Sequence, residues 1–134
     1  MKTNYNKDRD LIKLGLIGVG RWGKNIVKTS FEIPSLKLTC VASKNPDTKK
    51  LIRNDCKVFS DWRDLITSQQ LDGIIICTPP KTHFEITKCS IEAGFPVLVE
   101  KPLTLNLDEA ITIDKLSKSN INLVMTDLTQ LFNY

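Results

Sequence analysis

A single histidine, His83, stands in the 134-residue chain, which excludes a histidine-rich metal site. The four cysteines, Cys40, Cys56, Cys77 and Cys89, have neither C-x-x-C nor any other metal-type spacing. Three lie in or beside apolar runs, so reduced and mostly buried thiols of a cytoplasmic protein are expected. No segment approaches the ~18 apolar residues of a membrane span, and the polar start Met1 to Asp10 is not a signal peptide. A membrane partner is therefore not expected. Internal repeats, low-complexity stretches and Pro/Gly/Ser-rich linkers are also missing, so no internal boundary is drawn. The formal charge is only +4, and no long basic run is interleaved with aromatics, which argues against nucleic acid. The one basic cluster, Lys44, Lys49, Lys50 and Arg53, suits a phosphate-bearing small ligand.

What is present centres on one turn, Gly18-Val19-Gly20-Arg21-Trp22-Gly23. The apolar run Lys13-Leu14-Gly15-Leu16-Ile17 precedes it, and residues with helical spacing follow. This is the strand, glycine turn and helix start of a dinucleotide-binding unit. Gly18 turns the chain off the strand. Gly20 keeps a side chain out of the path of a pyrophosphate, and Gly23 lets the helix sit close to the sheet. The pyrophosphate would lie at the helix N-terminus, where N–H groups and the helix dipole favour an anion. A lone match of this kind can also be an ordinary strand-to-helix turn; the flanking elements favour the cofactor.

Strands and helices alternate along the rest of the chain, which predicts a doubly wound α/β fold. Strands are expected at about Lys13–Gly18, Lys37–Ser43, Lys57–Phe59, Ile74–Cys77, Pro96–Glu100 and Ile121–Met125. Helices are expected at about Trp22–Phe31, Asp47–Asn54, Trp62–Ser68, His83–Ala93 and Leu107–Lys118, and Leu128–Tyr134 has helical spacing too. Trp22, Ile26, Val27 and Phe31 should share a buried stripe. Ser60 or Asp61, Thr82, and Asn106 or Asp108 are candidate N-caps, and Gly94 is a candidate C-cap. The continuous run Ile74-Ile75-Ile76-Cys77 fits a central strand buried on both faces.

Ligands of such sheets lie beyond the carboxyl ends of the strands, so the segments that follow each strand are the candidate site. After the second strand stands Ser43-Lys44-Asn45, with no acidic residue at the place that usually accepts from the ribose hydroxyls. A small residue followed by a basic one favours NADP over NAD, although Asp47 could still reach the ribose. After the fourth strand stands Thr78-Pro79-Pro80-Lys81-Thr82-His83. His83 there is either a capping histidine or a contact to the cofactor. After the fifth strand stands Glu100-Lys101-Pro102. A lysine beside a nicotinamide can exchange a proton with the reacting oxygen or stabilise charge on it. Without the other rim motifs it would read as a surface lysine.

Taken in order, Gly18 to Gly23, Thr78-Pro79-Pro80 with His83, Glu92-Ala93-Gly94, and Val97 to Pro102 resemble the N-terminal domain of the Gfo/Idh/MocA oxidoreductases. The resemblance runs from about Lys13 to Phe132. It implies a single, mainly parallel, six-stranded Rossmann domain over residues 13–134 that binds NADP or NAD, with residues 1–12 as a flexible tail. It implies Lys101 as the active-site lysine and Gly18, Gly20 and Gly23 as the phosphate-loop glycines. Arg21, Trp22, Ser43, Lys44, Thr78, Pro79, Pro80, His83 and Glu100 complete the implied cofactor contacts. Ser43 and Lys44 resemble the NADP-using members, and His83 matches a recurrent histidine of the family. Such proteins continue into a substrate domain that this chain lacks. A separate polypeptide could supply it, and the apolar end Leu128, Leu131, Phe132 and Tyr134 points to a homodimer.

Overall fold

Parallel strands need a long crossover between them, and each crossover helix must bury one face on the sheet. A computed structural model describes residues 11–68 and 70–128, and among them it shows that arrangement. The strands are β1 (Ile12–Ile17), β2 (Leu36–Ala42), β3 (Lys57–Phe59), β4 (Gly73–Ile76), β5 (Val97–Glu100) and β6 (Val124–Asp127). They form one sheet in the order β3-β2-β1-β4-β5-β6, and every pairing is parallel. The helices are α1 (Arg21–Glu32), α2 (Thr48–Leu51), α3 (Trp62–Ser68), α4 (His83–Glu92) and α5 (Leu107–Asn120). A 3-10 turn at Pro80–Thr82 leads into α4. The strand order reverses between β1 and β4, so the chain leaves these two neighbours in opposite directions and opens a crevice at their carboxyl ends.

Side chains alternate across each strand and feed two cores. Ile17, Ile74 and Ile76 pack with Leu65, Ile86 and Ile113 on one face. Leu16 and Ile75 pack with Val27, Leu38 and Val41 on the other. The run Ile74–Ile76 is buried throughout, as a central strand requires.

Several expectations shift. β1 begins at Ile12, one residue earlier than expected; residues 1–10, most of the expected tail, lie outside the described residues. The helix expected over Asp47–Asn54 is a single turn, Thr48–Leu51. Trp22 and Phe31 do not join a buried stripe on α1; each is roughly half exposed, and Phe31 carries the Arg53 guanidinium 5.1 Å from its ring centre. Thr82 makes no side-chain cap, because its hydroxyl lies 2.8 Å from both Thr78 Oγ1 and Pro79 O. Asn106 does cap α5, accepting from the Glu109 N–H at 2.9 Å. Gly94 ends α4 in the left-handed region, at φ +90°. The sixth strand begins three residues later than expected, at Val124. The helical spacing expected from Leu128 onward falls mostly outside the described residues.

The delay of β6 has a local cause. Ile121 closes α5 in the left-handed region at φ 55°, and its N–H donates to Ser117 O. A β-branched residue is poorly suited to that conformation. Ile121 is 94% exposed, so its side chain has little burial to offset the strain. Ile121→Gly should therefore stabilise the fold by about 0.5–1 kcal/mol, the left-handed strain relieved less the extra freedom of glycine in the unfolded chain. A thermal melt should show the rise.

Candidate functional site

The turn between β1 and α1 is built from close approaches. Gly18 has φ +97°, and its N–H donates to Ala42 O at 2.9 Å. A Cβ there would press on the Cys77 carbonyl at 2.7 Å. A Cβ on Gly23 would overlap the Gly18 carbonyl oxygen. Gly20 is the opposite case, because a Cβ there would meet nothing within 4 Å. That open space belongs to a cavity of about 520 Å³ at the carboxyl ends of β1, β2 and β4.

The N-terminus of α1 faces this space without a cap from its own chain. Gly20 has no side chain to offer, and the first turn holds no acidic residue. In α5, by contrast, Asn106 caps the end and Asp108 and Glu109 stand in the first turn. The leading N–H groups of a helix have no partner within it. At α1 they are available to an anion, and an open glycine gives it room. These features fit the pyrophosphate of a dinucleotide.

Of the expected cofactor residues, Gly18, Gly20, Ser43, Lys44, Thr78 and Pro79 all line the cavity. Asn45, Ser60, Trp62 and Thr82 line it too and were not singled out from the sequence as contacts. Asn45, Ser60 and Thr82 each stand just past a strand end or on the rim loop, a signal that could have found them. Asn45 ties two loops together: its Nδ2 donates to Val19 O at 3.1 Å, and its own N–H donates to Ser43 Oγ at 3.1 Å. Thr48 Oγ1 lies 2.9 Å from the same Ser43 hydroxyl. Asp47 is ion-paired with Lys50 at 2.8 Å. Trp62 is half-buried and carries the Arg63 guanidinium 4.2 Å from its ring centre.

The remaining expected residues do not line the cavity. Arg21 and Trp22 are exposed at the start of α1, and Gly23 is buried behind the turn. Pro80 is exposed in the 3-10 turn. His83 is 1% exposed, and both its ring nitrogens face main-chain carbonyls, Nδ1 at 2.7 Å from Pro102 O and Nε2 at 2.8 Å from Thr78 O. No ring nitrogen is left for a cofactor, which corrects the expected contact. Glu100 is likewise buried, and its Oε2 accepts from the Lys101 N–H at 3.0 Å. Lys101 is exposed at the end of β5, and its bond to Pro102 is cis.

The electrostatics of this rim follow from burial. Burial, followed by the nearby Glu100 and Asp127 charges, pushes the Cys77 thiol up to about 12. Cys77 lines the cavity as a neutral, unreactive group. Burial also holds the Glu100 carboxyl above the usual range, with Asp127 on the neighbouring strand adding to the effect.

Known proteins carry the same pattern. The family described as "Oxidoreductase family, NAD-binding Rossmann fold" (Gfo/Idh/MocA) matches residues 12–128. The oxidoreductase YdgJ of Escherichia coli K12, described as uncharacterised, is 34% identical over 82% of the chain and 32% of its own length. An inositol 2-dehydrogenase of Klebsiella pneumoniae is 30% identical over 72% of the chain and 30% of its own length. The structure of scyllo-inositol dehydrogenase from Lactobacillus casei with bound NAD(H) and scyllo-inositol superposes with a TM-score of 0.83. It is 26% identical and covers 92% of this chain, which covers 38% of it. The chain thus spans about a third of the length of the curated relatives it matches.

Two tests follow from the geometry. Gly20→Ala places its methyl group in open space, so stability should stay within about 0.5 kcal/mol while dinucleotide binding weakens tenfold or more. Gly23→Ala should instead lower the melting temperature by several degrees, because the methyl group meets main chain. Glu100→Gln tests the rim by pH. The carboxyl's folded pKa is raised above the unfolded value, so its contribution is fully present below that value and is lost as pH rises past it. The variant should therefore melt higher than the native chain at neutral pH, and the gap should close below about pH 4.5.

Proposed function

The chain belongs to the Gfo/Idh/MocA oxidoreductases as their NAD-binding domain, and we propose that it serves hydride transfer between a nicotinamide cofactor and a sugar- or cyclitol-like alcohol or its ketone. The observation that carries this is the open cavity at the strand ends, where the uncapped N-terminus of α1 meets the unoccluded Gly20. Gly18, Gly20 and the first N–H groups of α1 would hold the pyrophosphate. Ser43 and Lys44 would meet the ribose end, and Thr78 and Pro79 would wall the path toward the nicotinamide. The bound nicotinamide supplies or accepts the hydride. Lys101, exposed just past β5, would exchange the matching proton at the substrate oxygen. The inositol dehydrogenases among the relatives support a polyol as substrate.

For the cofactor, a relative's structure contains NAD(H), whereas Ser43-Lys44 is the feature that speaks for NADP. Lys44 is exposed at the cavity edge, where an ammonium can neutralise a 2′-phosphate. The second reading is a dinucleotide-holding module without turnover of its own, or an inactive remnant. It is supported by the match itself, which covers the NAD-binding domain and about a third of the relatives' length. A separate polypeptide carrying a substrate domain would restore the first reading. Exposed Leu123, Met125 and Leu128 on and beside the edge strand β6 support self-association, which light scattering would test. The four unpaired thiols support a cytoplasmic setting. No helix among the described residues is long and apolar enough to cross a membrane.

Titration with NADH and NADPH, followed by the fluorescence of Trp22 and Trp62, should show saturable binding of both. Lys44→Ala should weaken NADPH about tenfold and leave NADH within about twofold, the loss of one charge contact to phosphate. No binding of either at millimolar concentration would refute the proposal. A panel of polyols, with Lys101→Ala as the control, separates turnover from binding alone.

A further inference from the structure

We infer that His83 is a positioning residue, a buried clasp that fixes the Lys101-Pro102 corner to the loop after β4. Its ring stands at the start of α4, 1% exposed, with one nitrogen facing the loop after β4 and the other the corner after β5. Nε2 is 2.8 Å from Thr78 O, the carbonyl at the rim loop that walls the cavity. Nδ1 is 2.7 Å from Pro102 O, one residue past the lysine. Thr78 and Pro102 belong to connections that leave neighbouring strands, β4 and β5. Nothing in the sheet ladder itself spans these connections, because the paired register stops at Ile76↔Val99. The imidazole crosses that gap where the ladder ends.

In the tautomer that carries its proton on Nδ1, the ring donates to Pro102 O, and this is the bond that matters for the corner. Pro102 has no N–H of its own to anchor the chain, so its carbonyl is its main-chain handle. The preceding residue is held from the other side by its N–H on Glu100 Oε2. Two bonds, one on each side of the Lys101-Pro102 step, therefore fix the direction in which Lys101 leaves the sheet. The His83 ring is buried, and a buried N–H left unpaired is costly, so the clasp and the fold constrain each other. The inference rests on Lys101 acting at the rim, as proposed above, but its geometry can be tested without any dinucleotide.

Substitutions that copy one ring nitrogen at a time provide the test. The Asn side-chain amide nitrogen occupies nearly the place of Nδ1, and that of Gln the place of Nε2. Amide hydrogen exchange in the free chain, followed by NMR, reads the corner through the Lys101 and Leu103 N–H groups. His83→Leu should speed their exchange about fivefold or more, the loss of roughly one net hydrogen bond, while Ile75 and Val99 in the core stay unchanged. His83→Asn should restore the native rates, and His83→Gln should not. If the Leu variant does not fold, the contrast between Asn and Gln decides the matter alone. Native exchange at Lys101 and Leu103 in a folded Leu variant would overturn the clasp, as would equal rescue by Asn and Gln. A clasp that passes this test while NADH and NADPH fail to bind the native chain would leave the positioning intact and remove the functional reading.

Discussion

The fold and the site both depend on a contact with no room for a methyl group, between Gly23 in the first turn of α1 and the carbonyl oxygen of Gly18. This contact sets how closely α1 lies on the sheet and where its axis points. Gly18 can release the chain from β1 in that direction because its φ of +97° is open to glycine. Once these two residues are fixed, the bare N-terminus of α1 faces the crevice and Gly20 stands over empty space. One glycine packs, one turns and one leaves room, so the three have separate physical tasks within six residues.

The switch in strand order gives that turn its setting. β1 and β4 lie at the centre of the sheet and are buried on both sides by the two cores. Rigid strands thus present mobile chemistry at their carboxyl ends, a division of labour common to open parallel sheets. The loops after β2, β3 and β4 converge on the cavity. The corner after β5 stands apart from its lining and carries the exposed lysine. In the proposed function, holding a dinucleotide and acting on a second molecule would thus fall to adjacent but distinct pieces of the rim.

The sequence made the architecture legible because its signals were periodic and punctuated. Ile74-Ile75-Ile76 fitted a central strand covered on both faces, and Gly94 and Asn106 marked real helix ends. The glycine turn was legible for the same reason, since the close contacts at Gly18 and Gly23 and the open space at Gly20 match the steric task expected of each. The errors arose where tertiary contacts overrule local pattern. Trp22 has helical spacing with Ile26, yet it stands on the outer side of the first turn of α1 and remains half exposed. Thr82 has the chemistry of a cap, but its hydroxyl is taken by Thr78 and Pro79 in the preceding turn. His83 and Glu100 were expected as cofactor contacts, but both are buried and neither lines the cavity. Spacing places a residue on a loop, and burial then decides whether it faces ligand or chain.

The Asn45 side chain, donating to Val19 O, joins the loop after β2 to the glycine turn, the places proposed for the ribose and the pyrophosphate. The two ends are therefore not independent modules. Moving the loop that carries Ser43 and Lys44 shifts the Val19 carbonyl, between Gly18 and Gly20 of the turn. Changes of cofactor preference in this chain should then be epistatic. Residues exchanged near Lys44 alter what the turn can accept, and an evolutionary path from one dinucleotide to the other would depend on the order in which its steps are taken.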